Sequence, residues 1–316
     1  MFLWLFIVSC NALYFKPPTA ETPGWHPISF LKDYKDKPMR IQFIDSNYVL
    51  WKGDNEYHLR PDVCPHQGAL LSEGTINQNC IQCPYHGLNI GPYDTAHKDG
   101  NEEYGKCLIK HNIIWWSPNE ITDTIPYCKE LDNMCELEIN VKGSFSDCYK
   151  NSMDFHHAAF VHKNTFGNYA GEPDTITETW NSNGYMEGHF KYGSNDFYGK
   201  YTGGETQNEH VYCKPSTTYN MVRGKDNQTM IIFLAMRALS ETETKWFLCA
   251  SSTFVPNNLI GKLVLDQMVK CVAIYEDGYQ LSKMANQKEK DIHSYKIKLP
   301  LDTIYDEWFK SIVADE

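Results

Sequence analysis

Positive charge is scarce in this chain: 29 Lys and Arg stand against 40 Asp and Glu, a formal net charge of −11 with a pI near 5.5. Nucleic acids and anionic membrane surfaces select clustered Lys and Arg, so no nucleic acid is expected as a partner. No apolar run reaches the roughly 20 residues that a bilayer-spanning helix needs; the longest lies in Met1–Phe15. There is no internal repeat and no low-complexity tract. The chain also has no flavin or nicotinamide fingerprint, so any electrons it uses must reach it from another protein. Eleven cysteines show no disulfide-framework spacing and read mostly as free thiols of a reducing compartment. What is present in quantity is apolar and aromatic side chain, 42% and 14%, enough for a large buried core.

Two of the cysteines stand apart from the rest. The chain reads Cys64-Pro65-His66-Gln67-Gly68 and, after the stretch Ala69–Gln82, Cys83-Pro84-Tyr85-His86-Gly87. Two thiolates can hold one iron of a [2Fe-2S] cluster and two neutral imidazoles the other, a division that raises the cluster potential. The sixteen residues between His66 and Cys83 suit two loop tips of adjacent hairpins, with Gly68 and Gly87 permitting tight turns. Two Cys and two His also satisfy tetrahedral zinc, which stays open on ligand chemistry alone. The stretch resembles the Rieske motif of the ring-hydroxylating and related Rieske non-haem iron oxygenases. By itself it would equally suit a small Rieske ferredoxin.

A length of 316 residues exceeds what one small electron carrier needs and suggests about two domains. Residues 1–16 read as a hydrophobic leader or N-terminal segment. A signal peptide, a lipoprotein-like box at Cys10, a complex-plastid presequence and a segment packed on the domain all remain open, so the location is cytoplasmic, or plastid if the leader is a presequence. Residues 17–127 read as an all-β domain. Arg40–Ile44 and Tyr48–Trp51 form a hairpin, and Lys106–Lys110 pairs with Ile113–Trp116 around His111-Asn112. Asn89–Tyr104 is irregular, and Pro118–Pro126 reads as a connector. Residues 128–316 read as an antiparallel sheet with a long helix. Cys135–Val141 is an expected strand, Gly143–Asp147 a loop, and Cys148–His162 helical. Further strands are expected at Tyr185–Phe190, Val211–Tyr219, Thr229–Met236 and Lys245–Thr253, with substrate walls drawn from this part of the chain. The last helix is expected to bury a stripe of Leu259, Leu263, Val264, Met268, Val272 and Leu281. The fold class is α+β.

Asn151-Ser152-Met153-Asp154-Phe155-His156-His157-Ala158-Ala159-Phe160-Val161-His162 concentrates histidine where a core would not need it. Oxygen activation by Fe(II) commonly uses two His and one carboxylate on one face of the metal. His157 and His162 are the candidate pair. At a spacing of five they lie roughly 140° apart on a regular helix, so they converge only where the helix ends or bulges. Packing or capping is the plainer role for a His pair. The segment resembles the Asn-X-X-Asp-X-X-His-X4-His signature of Rieske oxygenase catalytic domains, matched at Asn151, Asp154, His157 and His162, with His156 an extra histidine outside it.

For the third ligand, Glu276 and Asp277 lie among Val272, Ala273 and Ile274, where buried charge requires a partner. They can instead form surface pairs with Lys270 or Lys283. The resemblance favours Asp277 as the ligand, with Glu276 in reserve. It implies that Asp154 bridges His157 to the Rieske histidine His86 of a neighbouring subunit, although an exposed helix acid is the simpler role for it. It further implies a [2Fe-2S] cluster on Cys64, His66, Cys83 and His86, and mononuclear Fe(II) with dioxygen as co-substrate. The expected partners are a small organic substrate, a separate NAD(P)H-linked reductase or ferredoxin, and two further copies in a homotrimer. The activity expected is hydroxylation or oxidative demethylation; a pure electron carrier and a non-catalytic binding protein of the same fold are the alternatives.

Overall fold

The apolar run Ile113-Ile114-Trp115-Trp116 is buried on both of its faces because the strand that carries it lies between two cores. Ile113 and Trp115 pack with Phe30, Phe233 and Phe247, whereas Ile114 and Trp116 pack with Ile41, Phe43 and Leu50. Alternation of side chains along a strand sends successive residues to opposite faces. A sequence that would look like a fully buried core strand is thus the seam between the two halves. The computed structural model describes residues 17–92, 104–119, 125, 135–154, 157–162, 179–181, 185–191, 205–213, 215–224 and 228–289. Residues 1–16, most of the 89–104 segment and of the 118–126 connector, and His156 lie outside them.

The first half contains three small antiparallel sheets. β1 (His26–Phe30), β8 (Lys106–Lys110) and β9 (Ile113–Ser117) form one, in the order β1-β9-β8. The β8–β9 turn places His111 and Asn112 at φ 52° and 57°, the positive values that a type I′ hairpin requires at both central positions. β2 (Met39–Gln42), β3 (Asn47–Gly53) and β4 (Glu56–Pro61) form the second. β5 (Thr75–Asn77), β6 (Cys80–Gln82) and β7 (Asn89–Ile90) form the third. This last sheet and β3 surround Val49, Trp51, Leu71, Ile81 and Ile90, with Cys64 and Cys83 part of the same cluster.

The second half is built on a seven-stranded antiparallel sheet. In chain order its strands are β10 (Cys135–Lys142), β11 (Thr179–Asn181), β12 (Tyr185–Lys191), β13 (Glu205–Cys213), β14 (Thr217–Arg223), β15 (Thr229–Ser240) and β16 (Glu243–Ser252). They are arranged β10-β16-β15-β14-β13-β12-β11. One face carries Ile231, Phe233, Ala235, Phe247 and Cys249 toward β1 and β9. The other carries Leu234, Met236, Trp246, Leu248 and Ala250 toward the helices. Each large side chain buried in these layers is worth on the order of 1.5–3 kcal/mol. Arg237 on β15 ties the halves together: its Nη1 donates to the carbonyls of Pro27 and Ile28 at 2.5 and 2.8 Å, where β1 carries a bulge. The guanidinium sits 5.5 Å from the Phe43 ring and 5.4 Å from that of Phe247.

Four expectations need correcting. The single strand expected at 211–219 is two: β13 ends at Cys213 and β14 begins at Thr217. The loop expected at 143–147 already contains the start of α1 (Phe145–Met153), because Ser144 caps it by accepting from Asp147 N–H at 3.2 Å. The helical stretch expected to run to His162 is interrupted: α1 stops at Met153, and a short α2 spans His157–Val161. The apolar stripe of the last helix is also different. Leu259, Leu263 and Val264 are exposed, and the buried positions are Gly261, Leu265, Val269, Ala273, Asp277, Leu281 and Ala285. These recur every four residues, a spacing that drifts by roughly 40° per step on a regular α-helix. The drift is taken up midway, where α3 (Leu259–Lys270) passes through a π-helical segment at Cys271–Asp277 before α4 (Gly278–Glu289).

Candidate metal centres

The two cysteine-histidine loops are built alike. Cys64 N–H donates to Ala69 O and Gly68 N–H to Cys64 O, each at 2.8 Å. Cys83 N–H donates to Leu88 O at 2.8 Å and Gly87 N–H to Cys83 O at 3.0 Å. Both turns close through glycines at φ 77° and 72°, a conformation that side chains with a Cβ rarely adopt. Asp62, 2% exposed, holds the first loop from behind by accepting from Ser72 N and Oγ at 2.7 Å. Both thiols are buried, and the rings of His66 and His86 lie at the surface with centroids 4.8 Å apart. Burial pushes the Cys83 thiol up, but the Tyr85 N–H, the Cys64 side chain and the His86 N–H together outweigh it and hold the pKa below its ordinary value. N–H groups aimed at a sulfur favour a thiolate, the form that binds iron.

The second centre forms where α2 ends. His157 opens this helix and His162 follows its last residue, Val161, so the two rings swing together despite their spacing in sequence. His157 Nε2 lies 3.0 Å from His162 Nε2, and each is 3.3 Å from Asp277 Oδ1. The π-helical segment supplies Asp277, which occupies the next place in the four-residue register of otherwise apolar or small buried side chains. π-helical turns inside α-helices recur at functional sites. Gly278 closes this segment by donating its N–H to Ala273 O, the five-residue step of a π-helix. A Cβ on Gly278 would meet that oxygen at 2.7 Å.

Burial opposes a charge on each of the three groups, yet they respond differently. For Asp277 the hydrogen bond to His157 and the charges of both histidines outweigh burial, and the carboxyl is held below its usual range. Asn151 adds a donor, with Nδ2 3.3 Å from Asp277 Oδ1. For His157 the same carboxylate overcomes burial and raises the pKa. For His162 burial prevails and lowers it.

The outer partners of the two rings differ. His157 Nδ1 lies 2.5 Å from the main-chain carbonyl of Asp154, whose carboxylate accepts from the His157 main-chain N–H at 3.2 Å. The Asp154 side chain therefore caps α2, and its backbone orients the ring. His162 Nδ1 lies 2.8 Å from Glu276 Oε2, on the opposite side of the ring from Asp277. Two further polar residues face this centre from the sheet, neither of them signalled in the sequence. His210 and Asn220 are register partners on β13 and β14. Asn220 donates through Nδ2 to Ser152 O at 3.2 Å, in the last turn of α1. Burial, with a contribution from His157, pushes the His210 pKa well below its ordinary value.

Among the described residues, His157, His162 and Asp277 form the one group of three or more His, Cys, Asp or Glu whose ligand atoms all lie within 4.8 Å of one another. Two imidazoles and one carboxylate suit a mononuclear iron with open positions. The loop residues do not gather all four side chains at single-ion spacing, which tetrahedral zinc would require. Their buried thiols and surface imidazoles fit the divided ligation of a two-iron cluster.

The Rieske [2Fe-2S] domain family matches residues 24–103. Chlorophyllide a oxygenase of Arabidopsis thaliana chloroplasts is 27% identical over 180 residues, 52% of this chain and 34% of that protein. Methylxanthine N3-demethylase of Pseudomonas putida is 25% identical over 170 residues, 45% of this chain and 48% of that protein. The chain thus spans about a third to a half of the length of these curated relatives. The crystal structure of dicamba monooxygenase bound to dicamba has the same fold, with a TM-score of 0.76 over 94% of this chain and 98% of that one at 17% identity.

Proposed function

We propose that this chain, which carries a Rieske [2Fe-2S] domain, is a Rieske non-haem iron oxygenase and works as a terminal oxygenase that hydroxylates or oxidatively demethylates a small organic substrate. The observation that carries this reading is the convergence of His157, His162 and Asp277 beside the π-helical segment. A pure electron carrier has no use for such a centre, and a binding protein has no need of two imidazoles and a carboxylate brought to one point.

Cys64 and Cys83 would hold one iron of the cluster, His66 and His86 the other, and His157, His162 and Asp277 the mononuclear iron. Bound there, the cluster supplies electrons one at a time and the Fe(II) supplies dioxygen activation. The chain's own contribution is positional. Gly68 and Gly87 fold the two loops so that the thiols are sheltered and the imidazoles face outward, which gives electrons a short way in and out. The end of α2 at Val161 turns His162 toward His157. Asp154 and Glu276 fix the two rings, and the elements that carry them are anchored in the helix–sheet core through Met153 and Ala273. His210 and Asn220 offer polar contacts to a substrate in an otherwise apolar setting.

In this reading, electrons arrive from a separate NAD(P)H-linked reductase or ferredoxin. Three copies associate head to tail, so that the exposed His86 of one faces Asp154 and His157 of the next, and Asp154 carries the coupling between the centres. The relatives act, by their names, on chlorophyllide and on methylxanthines. Pigments and N-methylated heterocycles are accordingly the first substrates to try. The experiment is a single turnover: protein reduced chemically, freed of reductant, and exposed to 18O-labelled dioxygen with these compounds. The expected result is label in the product, or formaldehyde where a methyl group is removed. Reoxidation of both iron sites with no labelled product and no formaldehyde across both classes would count against the substrate assignment. Failure of the protein to take up mononuclear iron would end the oxygenase reading.

A further inference from the structure

We propose that Glu276 is a positioning residue for the mononuclear centre: it accepts the Nδ1 proton of His162, so that the Nε2 lone pair is presented to the metal. The inference rests on the iron-site reading above and goes beyond its ligand set. Consecutive residues of the π-helical segment reach opposite nitrogens of one imidazole, Glu276 Oε2 at 2.8 Å from Nδ1 and Asp277 Oδ1 at 3.3 Å from Nε2. A neutral imidazole carries one donor and one acceptor nitrogen. An ionised carboxylate only accepts, so the pairing at Nδ1 fixes the proton there and the acceptor at Nε2. His162 is 3% exposed, so water does not compete for Nδ1.

Glu276 thereby leaves the contest for third ligand, because its oxygen sits on the far side of the His162 ring from Asp277 and His157. It also makes the two imidazoles unequal. His157 is held by a neutral main-chain carbonyl, whereas His162 is held by a carboxylate, and a charge-assisted bond is roughly twice as strong. A site that needs only one acid as ligand thus has a use for the second, whose side chain is 12% exposed, at the outer nitrogen of His162.

The test uses protein with its cluster intact and its mononuclear site emptied by a mild chelator, titrated anaerobically with ferrous ion alone. Glu276→Ala is expected to weaken Fe(II) binding by about 10- to 100-fold. Glu276→Gln, which keeps an acceptor oxygen at the same place, is expected to recover most of that loss. Asp277→Ala is expected to abolish binding at the site. A second readout is the EPR spectrum of the ferrous protein exposed to nitric oxide, which reports ligand symmetry at the iron. It should change in Glu276→Ala loaded with excess iron and stay near wild type in Glu276→Gln. The cluster absorbance serves as the folding control and should be unchanged throughout. Wild-type affinity and spectrum in Glu276→Ala would overturn the proposal while leaving the iron site standing. So would Glu276→Gln behaving like Glu276→Ala, since that points to charge and not to the Nδ1 bond. Loss of iron in Glu276→Ala with full retention in Asp277→Ala would make Glu276 the ligand and overturn both assignments.

Discussion

Replacing Asp154 by Asn removes one negative charge between the two proposed redox centres and little else. The main-chain carbonyl that orients His157 is untouched, and the Asn side-chain oxygen can still accept from His157 N–H, now at 3.2 Å from the carboxylate. Asn is about as good a cap as Asp, so stability should stay within about 0.5 kcal/mol of wild type, the range of a substitution that breaks no structural feature. Asp154→Ala, by contrast, loses the cap on α2 and should cost about 1 kcal/mol. If the Asp154 charge couples the centres, Asp154→Asn should keep both irons at near full occupancy while electron transfer between them slows by about 10- to 100-fold, the usual cost of losing an outer-shell group. The assay pairs iron content with stopped-flow reoxidation of the reduced cluster on mixing with substrate and dioxygen. Normal reoxidation in Asp154→Asn would show the side chain to be only a helix cap, and the inter-subunit path through it would have to be given up.

His26, buried against Phe43 and Trp116, has its pKa lowered by burial from 6.5 to about 4. The unfolded chain therefore binds the extra proton between these values, and stability should fall by about 3 kcal/mol as pH drops from 6.5 toward 4. Denaturant titrations of His26→Gln should lack this slope; a His26→Gln profile parallel to wild type would contradict the assignment. Gly278→Ala places a methyl against Ala273 O at 2.7 Å, so the π-helical turn must shift. The expected outcome is weaker binding of ferrous ion at the mononuclear site with an unchanged cluster, read by anaerobic titration. Unaltered affinity would mean that the π-helical turn does not govern the placement of Asp277.

The parts of the site legible in the sequence were those written in short local patterns. The loops at Cys64 and Cys83 announce themselves because ligand, proline and turn glycine sit within five residues of one another. The end of α2 at Val161 followed from geometry, since His157 and His162 cannot meet on an unbroken helix, whereas the end of α1 at Met153 did not. The division of labour between Glu276 and Asp277 was not legible, because it depends on a local change of helical pitch. The signal existed all the same: Gly261, Leu265, Val269, Ala273, Asp277, Leu281 and Ala285 keep a strict four-residue spacing, too wide for a straight α-helix. The more conspicuous leucines at 259 and 263 drew attention to the exposed face. His210 and Asn220 were invisible for another reason, since they meet only through the pairing of β13 with β14, and the turn separating those strands was missed. Trp115 and Trp116 lie on an expected strand, but that the strand serves two cores shows only once the sheets are packed.

The central claim is that one chain holds two iron centres of different kinds, and metal analysis joined to EPR of protein purified without oxygen tests it most directly. The expected result is about three irons per chain, two from the cluster and one mononuclear. The reduced protein should show a Rieske-type EPR signal that disappears in Cys83→Ser. Stoichiometric zinc with no such signal would contradict the account.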